Sequence, residues 1–187
     1  MRSLLSEITN PHNLIGPCPA LLEPGTIRYS GRLIPNTVRP RIVLLVGLPG
    51  SGKSTWVQSR LTPGISGALS SDAVRALLAD DPGNQNIHPR VFRVMRDLLK
   101  HRLDLRRPVT FIDATNLTPK ERRPYVKLAD LFDADIEAVF FDVPAEECMR
   151  RNRGRERTVP EEAIATMSRK LVPPDEQEGF LSVTVIR

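Results

Sequence analysis

The stretch GLPGSGKST, residues 47–55, sets three glycines, a lysine and three hydroxyl side chains in nine positions. That is equipment for holding a polyphosphate. Gly47, Gly50 and Gly52 let the backbone bend until several N–H groups face one anion, and Ser51 and Thr55 complete the phosphate-holding set. The GxxxxGK[ST] pattern runs through Gly47, Gly52, Lys53 and Ser54. It assigns Lys53 to the β- and γ-phosphates of a nucleotide and Ser54 to Mg²⁺. The same loop serves hydrolases, switches and phosphotransferases, so the acceptor has to be read elsewhere in the chain.

Three further constellations could supply it. Asp113, at the end of VTFID, is an acid that can hold the cation's water shell, and Thr115 and Asn116, which follow it in DATN, are within reach and expected at the substrate. Asp142, after the FF pair, competes for the same role; Asp113 is preferred because the acid usually comes from the strand beside the loop strand. The bland reading of DATN is an Asx-type turn. Asp72 and Arg75 sit at i and i+3 on the first turn of an expected helix and share a face. The carboxylate could take a proton from an attacking hydroxyl, and the guanidinium could grip a phosphate bidentately. Equally, Ser71 or Asp72 could simply cap the helix, with Arg75 as solvated charge. Finally, RRNRGRER packs Arg150, Arg151, Arg153, Arg155 and Arg157 into eight residues. Such crowding is either a solvated basic loop or a lid whose arginines meet phosphates.

These residues need a scaffold that brings them to one edge. RIVLLV from Arg41 is a continuous apolar run of strand length, as expected for a parallel strand buried on both faces. ISGALS, VTFI, IEAVFFDV and LSVTVI are four more strand candidates. Helices are expected between them: one from about Lys53, one over SSDAVRALLAD, and one carrying Val91, Phe92, Met95, Leu98 and Leu99 on an apolar stripe. Thr118, Pro119 and Glu121 read as a capping box with proline at the first helical position. Further helices are expected over PAEECMRRN and after Pro160. Strands alternating with helices predict an α/β fold, a parallel five-stranded sheet flanked by helices, with the phosphate site at the strands' carboxyl ends.

The chain divides on composition. Residues 1–40 hold Pro11, Pro17, Pro19, Pro24, Pro35 and Pro40 and read as a proline-rich extension; TIRYSGRLI is its one strand candidate and could add to a sheet edge, with partial disorder, oligomer contact and packing across the core equally open. Residues 41–187 read as the catalytic domain. Cys18 and Cys148 form no CxxC pair and are expected as reduced packing thiols. No signal-like or membrane-length apolar run is present, so a cytoplasmic protein without a membrane partner is expected. The net charge of +5 is compatible with a polyanionic partner.

Taken together, GLPGSGKST, SSDAVR, FIDATN and RNRGRERTVPEEAI, in that order over residues 41 to about 172, resemble the polynucleotide 5′-kinases of phages and of bacterial RNA end-healing enzymes. The resemblance implies a P-loop NTPase core with an arginine-rich lid, ATP and Mg²⁺ as cofactors, and γ-phosphate transfer to the 5′-hydroxyl of a nucleic acid. It implies Asp72 as general base, Arg75 on an acceptor phosphate, and Arg155 on the nucleotide with Arg151 or Arg157 beside it. Two other readings share the frame: a P-loop kinase for a metabolite or antibiotic hydroxyl, and a nucleotide-binding switch.

Overall fold

The computed structural model describes residues 26–29, 32–35, 39–155 and 157–187. Thr26–Tyr29 (β1) and Arg32–Pro35 (β2) pair antiparallel, with Ile27 opposite Ile34. TIRYSGRLI, read as one strand candidate, thus holds two strands that pair with each other. Cys18 and the rest of the extension before Thr26 lie outside the described residues.

The α/β body is built on five strands, Arg41–Val46 (β3), Ser66–Ser70 (β4), Val109–Asp113 (β5), Asp135–Phe141 (β6) and Ser182–Ile186 (β7). They run in the order β4-β5-β3-β6-β7, and all neighbours are parallel. Six helices connect them: Lys53–Gln58 (α1), Ser71–Ala79 (α2), His88–Asp104 (α3), Pro119–Leu131 (α4), Ala145–Arg153 (α5) and Glu161–Lys170 (α6). No helix among the described residues is long and apolar enough to cross a membrane.

β3 is the centre of the sheet because its side chains are apolar on both faces. Ile42 and Leu44 join Val91, Met95 and Leu99 of α3 in one core layer. Val43 and Leu45 join Val57, Phe111 and Phe141 in the other. Each such fully buried side chain contributes roughly 1.5–3 kcal/mol. Trp56 meets Phe111 and Phe141 edge-on at 6.0 Å each, which seats α1 on the second face. On α3 the buried stripe is Val91, Met95, Leu99 and Leu103, whereas Leu98 is exposed. A 3.6-residue period carries the stripe from Leu99 to Leu103 and turns Leu98 off it.

Two helix starts fix the cleft edge. α4 begins with the expected box: Thr118 caps it and the Glu121 carboxylate reaches back to the backbone of Thr118. α2 is capped by Ser70, whose hydroxyl accepts from the Ala73 N–H at 3.4 Å. Neither Ser71 nor Asp72 serves as cap, since the extended backbone needed at that position falls one residue earlier, at the end of β4.

Candidate active site

Because all five strands are parallel, their carboxyl ends open on one edge. There β3 delivers the glycine loop, β4 delivers Ser70 to Asp72, and β5 delivers Asp113. The segment after β6 brings Val143, and β7 ends at Ile186 beside Arg187. These residues line a cleft of about 720 Å³.

Glycine is required at two points of the loop. Gly50 lies at φ +83°, and a Cβ there would come within 2.5 Å of the Cys148 carbonyl oxygen on α5. Gly52, at φ +99°, is the left-handed residue that turns the chain into α1. Lys53 and Ser51 are buried on the loop, 7% and 3% exposed. The Lys53 ammonium donates to the carbonyls of Gly47 at 2.9 Å and Leu48 at 2.6 Å, and to Ser51 Oγ at 3.2 Å. Burial draws its pKa down to about 8, against the pull of Asp113.

The DATN segment divides into parts with different tasks. Asp113 lies against Ser54, whose hydroxyl donates to it; burial raises the carboxyl above its ordinary range, and the Ser54 bond and the Lys53 charge lower it again. Ser54 and Asp113 are thus two adjacent hard oxygen donors. They suit Mg²⁺, which commonly takes one or two protein oxygens and completes its shell with water and phosphate. Asp142 also follows a strand bordering β3, so adjacency alone does not separate the two acids. What separates them is direction, as Asp142 pairs with Arg187 at 3.1 Å and does not line the cleft.

Thr115 lines the cleft, and its carbonyl accepts the Gly47 N–H at 3.0 Å. Asn116, expected at the substrate, is 1% exposed and absent from the cleft wall. Its Nδ2 donates to the Leu45 carbonyl at 2.7 Å, so the side chain ties the end of β5 to β3. Its backbone is left-handed, φ +46°, a conformation that asparagine tolerates.

Across from the loop, Asp72 stands between two guanidinium groups. Arg75 Nη1 donates to its Oδ1 at 2.7 Å, and Arg157 lies 3.0 Å from its Oδ2. Arg75 is only 4% exposed, and its Nε has no acceptor within the protein. The arginine stretch separates cleanly. Arg151, Arg155 and Arg157 line the cleft, while Arg150 pairs with Glu147 and Arg153 with Glu161, both off the cleft. Arg151 also bonds Glu147, at 2.6 Å.

Several wall residues escaped the sequence reading: Gln85, His88, Phe92, Trp56 and Arg60. A clue was available for one pair only, since His88 and Phe92 are spaced i, i+4 and so share a helix face. Arg122 is another, outside the cleft. It is wholly buried, bonds Glu178 at 2.8 Å and donates to the carbonyls of Asn116, Leu117 and Val172. That clamp holds the start of α4 to the run-in of β7.

Among solved structures, a chain of the Pnkp1/Rnl/Hen1 RNA repair complex is 26% identical, with a TM-score of 0.62, over 72% of this chain and 44% of that one. This chain thus spans less than half the length of that relative. A gluconokinase from Sinorhizobium meliloti 1021 matches at 16% identity and a TM-score of 0.54, covering 80% of this chain and 83% of its own. A sugar kinase from Janibacter sp. HTCC2649 matches at 19% and 0.53, covering 79% and 84%. The last two speak for the fold alone. The family described as AAA domain matches residues 42–174. Glycine loop, parallel sheet and family match agree: the chain belongs to the AAA domain family and has a P-loop kinase fold.

Proposed function

We propose that this protein is an ATP-dependent polynucleotide 5′-kinase that moves the γ-phosphate of ATP to a terminal 5′-hydroxyl. The observation that carries the reading is the division of labour at the start of α2. Ser70 takes the capping duty. Asp72 is therefore left on the cleft wall, near enough to the loop that its charge acts on Lys53 and Asp113.

In the mechanism, Lys53 neutralises charge on the β- and γ-phosphates, and Asp72 accepts the proton of the 5′-hydroxyl as its oxygen bonds to the γ-phosphorus. The bond from that phosphorus to the β-bridging oxygen breaks, and ADP leaves. Arg75, with an unspent Nε donor in a buried position, binds a phosphate of the acceptor strand. Arg155, flanked by Arg151 and Arg157, covers the nucleotide as a lid and offsets charge that spreads in the transition state. Ser54 and Asp113 hold Mg²⁺, which when bound neutralises phosphate charge and orients the transferring group.

A nucleic-acid acceptor is favoured over a small alcohol by the basic lining of the cleft and by the 26% identity to a chain of an RNA repair complex. Residues 41–187 form the kinase domain in this reading, with residues 1–40 an extension to it. The deciding experiment is an acceptor screen with γ-labelled ATP and Mg²⁺ across 5′-hydroxyl oligonucleotides, nucleosides and small alcohols. Labelled oligonucleotide ends are expected. Labelling of a small alcohol with no labelled RNA or DNA end refutes the proposal.

A further inference from the structure

The arginine stretch is suspended between α5 and α6, and α6 has little apolar hold on the body. Only Ile164 of its ten residues is fully buried, packed with Leu48 of the glycine loop, Leu117 and Cys148, and Met167 and Leu171 add partial burial. Apolar packing scales with the area removed from water, so one such anchor leaves the helix dependent on what grips its exit.

That grip is polar and centres on one side chain. Just past α6 the Val172 N–H donates to the Leu117 carbonyl at 2.9 Å, and the Val172 carbonyl accepts from Arg122 Nη1 at 3.0 Å. The same Nη1 reaches the carbonyls of Asn116 and Leu117 at 3.1 and 3.2 Å. Glu178 fixes the other edge of the guanidinium, accepting from Nε at 2.8 Å and from Nη2 at 2.5 Å.

The fork thereby joins the exit of α6 to the segment where the metal-side acid and the glycine loop meet. Within that segment the Thr115 carbonyl accepts the Gly47 N–H, the Asn116 amide is tied to Leu45, and Asp113 lies two residues upstream of Thr115. Neither Arg122 nor Glu178 lines the cleft, and Arg122 is wholly buried, so it can serve the reaction only through these ties. A lysine cannot make them all. Its ammonium places three donors at one point, whereas the planar fork serves a carboxylate on one edge and carbonyls of two separate segments on the other.

We infer that Arg122, oriented by Glu178, is a positioning residue for phosphoryl transfer: by locking the exit of α6 to the Asn116 and Leu117 carbonyls, it holds the arginine stretch in register with the glycine loop and Asp113. This role rests on the kinase reading, with Arg155 as the lid arginine, and holds for any acceptor the enzyme labels.

The test is a double-mutant cycle on kcat, at saturating ATP and with the acceptor that wild-type protein labels best in the screen above. Arg122→Lys keeps the charge and loses the fork; kcat is expected to fall about ten- to a hundredfold, the cost of a misplacement of roughly 1 Å. The KM for ATP should stay within about twofold, because the loop's own phosphate contacts remain. Arg155→Ala, worth about 10–100-fold in the wild-type background, should cost less than about threefold in Arg122→Lys, since a lid already out of register has little left to lose. If Arg122→Lys does not fold, Glu178→Gln carries the same cycle: it keeps the side-chain shape and the carbonyl bonds but releases the guanidinium's charged edge, and coupling of the same sign is expected. A variant that melts at a lower temperature yet keeps wild-type kcat, or in which Arg155→Ala costs its full factor, overturns the inference and leaves Arg122 a clamp for the fold alone. If no oligonucleotide end is labelled but a small alcohol is, the polynucleotide reading falls, and the same cycle run on that alcohol still decides the role of Arg122.

Discussion

The two walls of the cleft are made of different material. On the loop side, function rests on backbone N–H groups, on glycines fixed by close approach, and on one lysine that is 7% exposed. On the opposite side it rests on side chains that hold one another: Asp72 and Arg157 pair with their side chains 49% and 32% exposed. A wall built from backbone is formed before any ligand arrives. Around a buried Arg75, a wall whose other ion pair is this exposed is easily rearranged at that pair, because such pairs contribute little to stability and exchange partners readily. The donor side should therefore lose function only when its own chemistry is removed, whereas the acceptor side should be tunable one residue at a time.

The largest effect should come from the acceptor wall. Asp72→Ala is expected to lower single-turnover transfer to a 5′-hydroxyl oligonucleotide by about 10²–10⁴-fold, the usual worth of a general base. ATP binding by calorimetry should persist, since the loop makes the phosphate contacts. Transfer that survives this change would place the acceptor chemistry elsewhere and erase the contrast between the walls. Lys53→Met comes next, at roughly 10²–10³-fold in kcat, the cost of removing one preorganised stabiliser of transition-state charge. Unlike Asp72→Ala, it should also weaken ATP itself. A kinetic defect in Lys53→Met without any loss of nucleotide affinity would break the assignment of this lysine to the donor.

A finer division lies within the arginine stretch. Arg155→Ala removes a cleft-lining donor to a charged group and should reduce transfer about 10–100-fold, the worth of one charge-assisted hydrogen bond. Arg150→Ala removes a side chain that is 72% exposed and paired with Glu147, and should change transfer less than about twofold. Equal losses in the two variants, measured as kcat/KM for the same acceptor, would mean that the stretch acts only through its total charge.

How far the sequence could foretell this follows from the same contrast. The loop, the five strands and the Thr118 box were legible because each depends on local backbone chemistry: glycine torsions, apolar runs, proline at a helix start. The roles around Asp72 were ambiguous, because a cap and a free carboxylate differ by one residue of register, and only the extended backbone at Ser70 decides between them. Asn116 was misread for a related reason. An amide after an aspartate looks ready for substrate, but here it is buried and donates to the Leu45 carbonyl, a tertiary contact that no local pattern announces. Gln85 carried no local signal, and the i, i+4 spacing of His88 and Phe92 tells only that they share a helix face, since the turn that aims them is held by Arg75 through tertiary contact. TIRYSGRLI reads as one strand and holds two that pair with each other, because strand propensity does not specify the pairing partner.

The smallest effect is also the sharpest probe of the buried donor wall. Lys53 is an ammonium whose burial brings its pKa from 10.5 to about 8. In this window the unfolded chain binds the proton that the folded chain gives up, so the penalty for burying the charge fades as pH rises from about 8 to 10.5. Nucleotide phosphates would supply the opposite charge and raise the pKa again. Binding of ATP at pH 8 should then take up about half a proton at this site, and affinity should fall towards tenfold per unit at higher pH. Calorimetry in buffers of different ionisation enthalpy measures that uptake directly, with Lys53→Met as the background. Uptake that is the same in the variant would assign the proton to another group. No uptake at all would mean that Lys53 is fully charged before ATP arrives, as an exposed lysine would be, and the donor wall would then be no more enclosed than the acceptor wall.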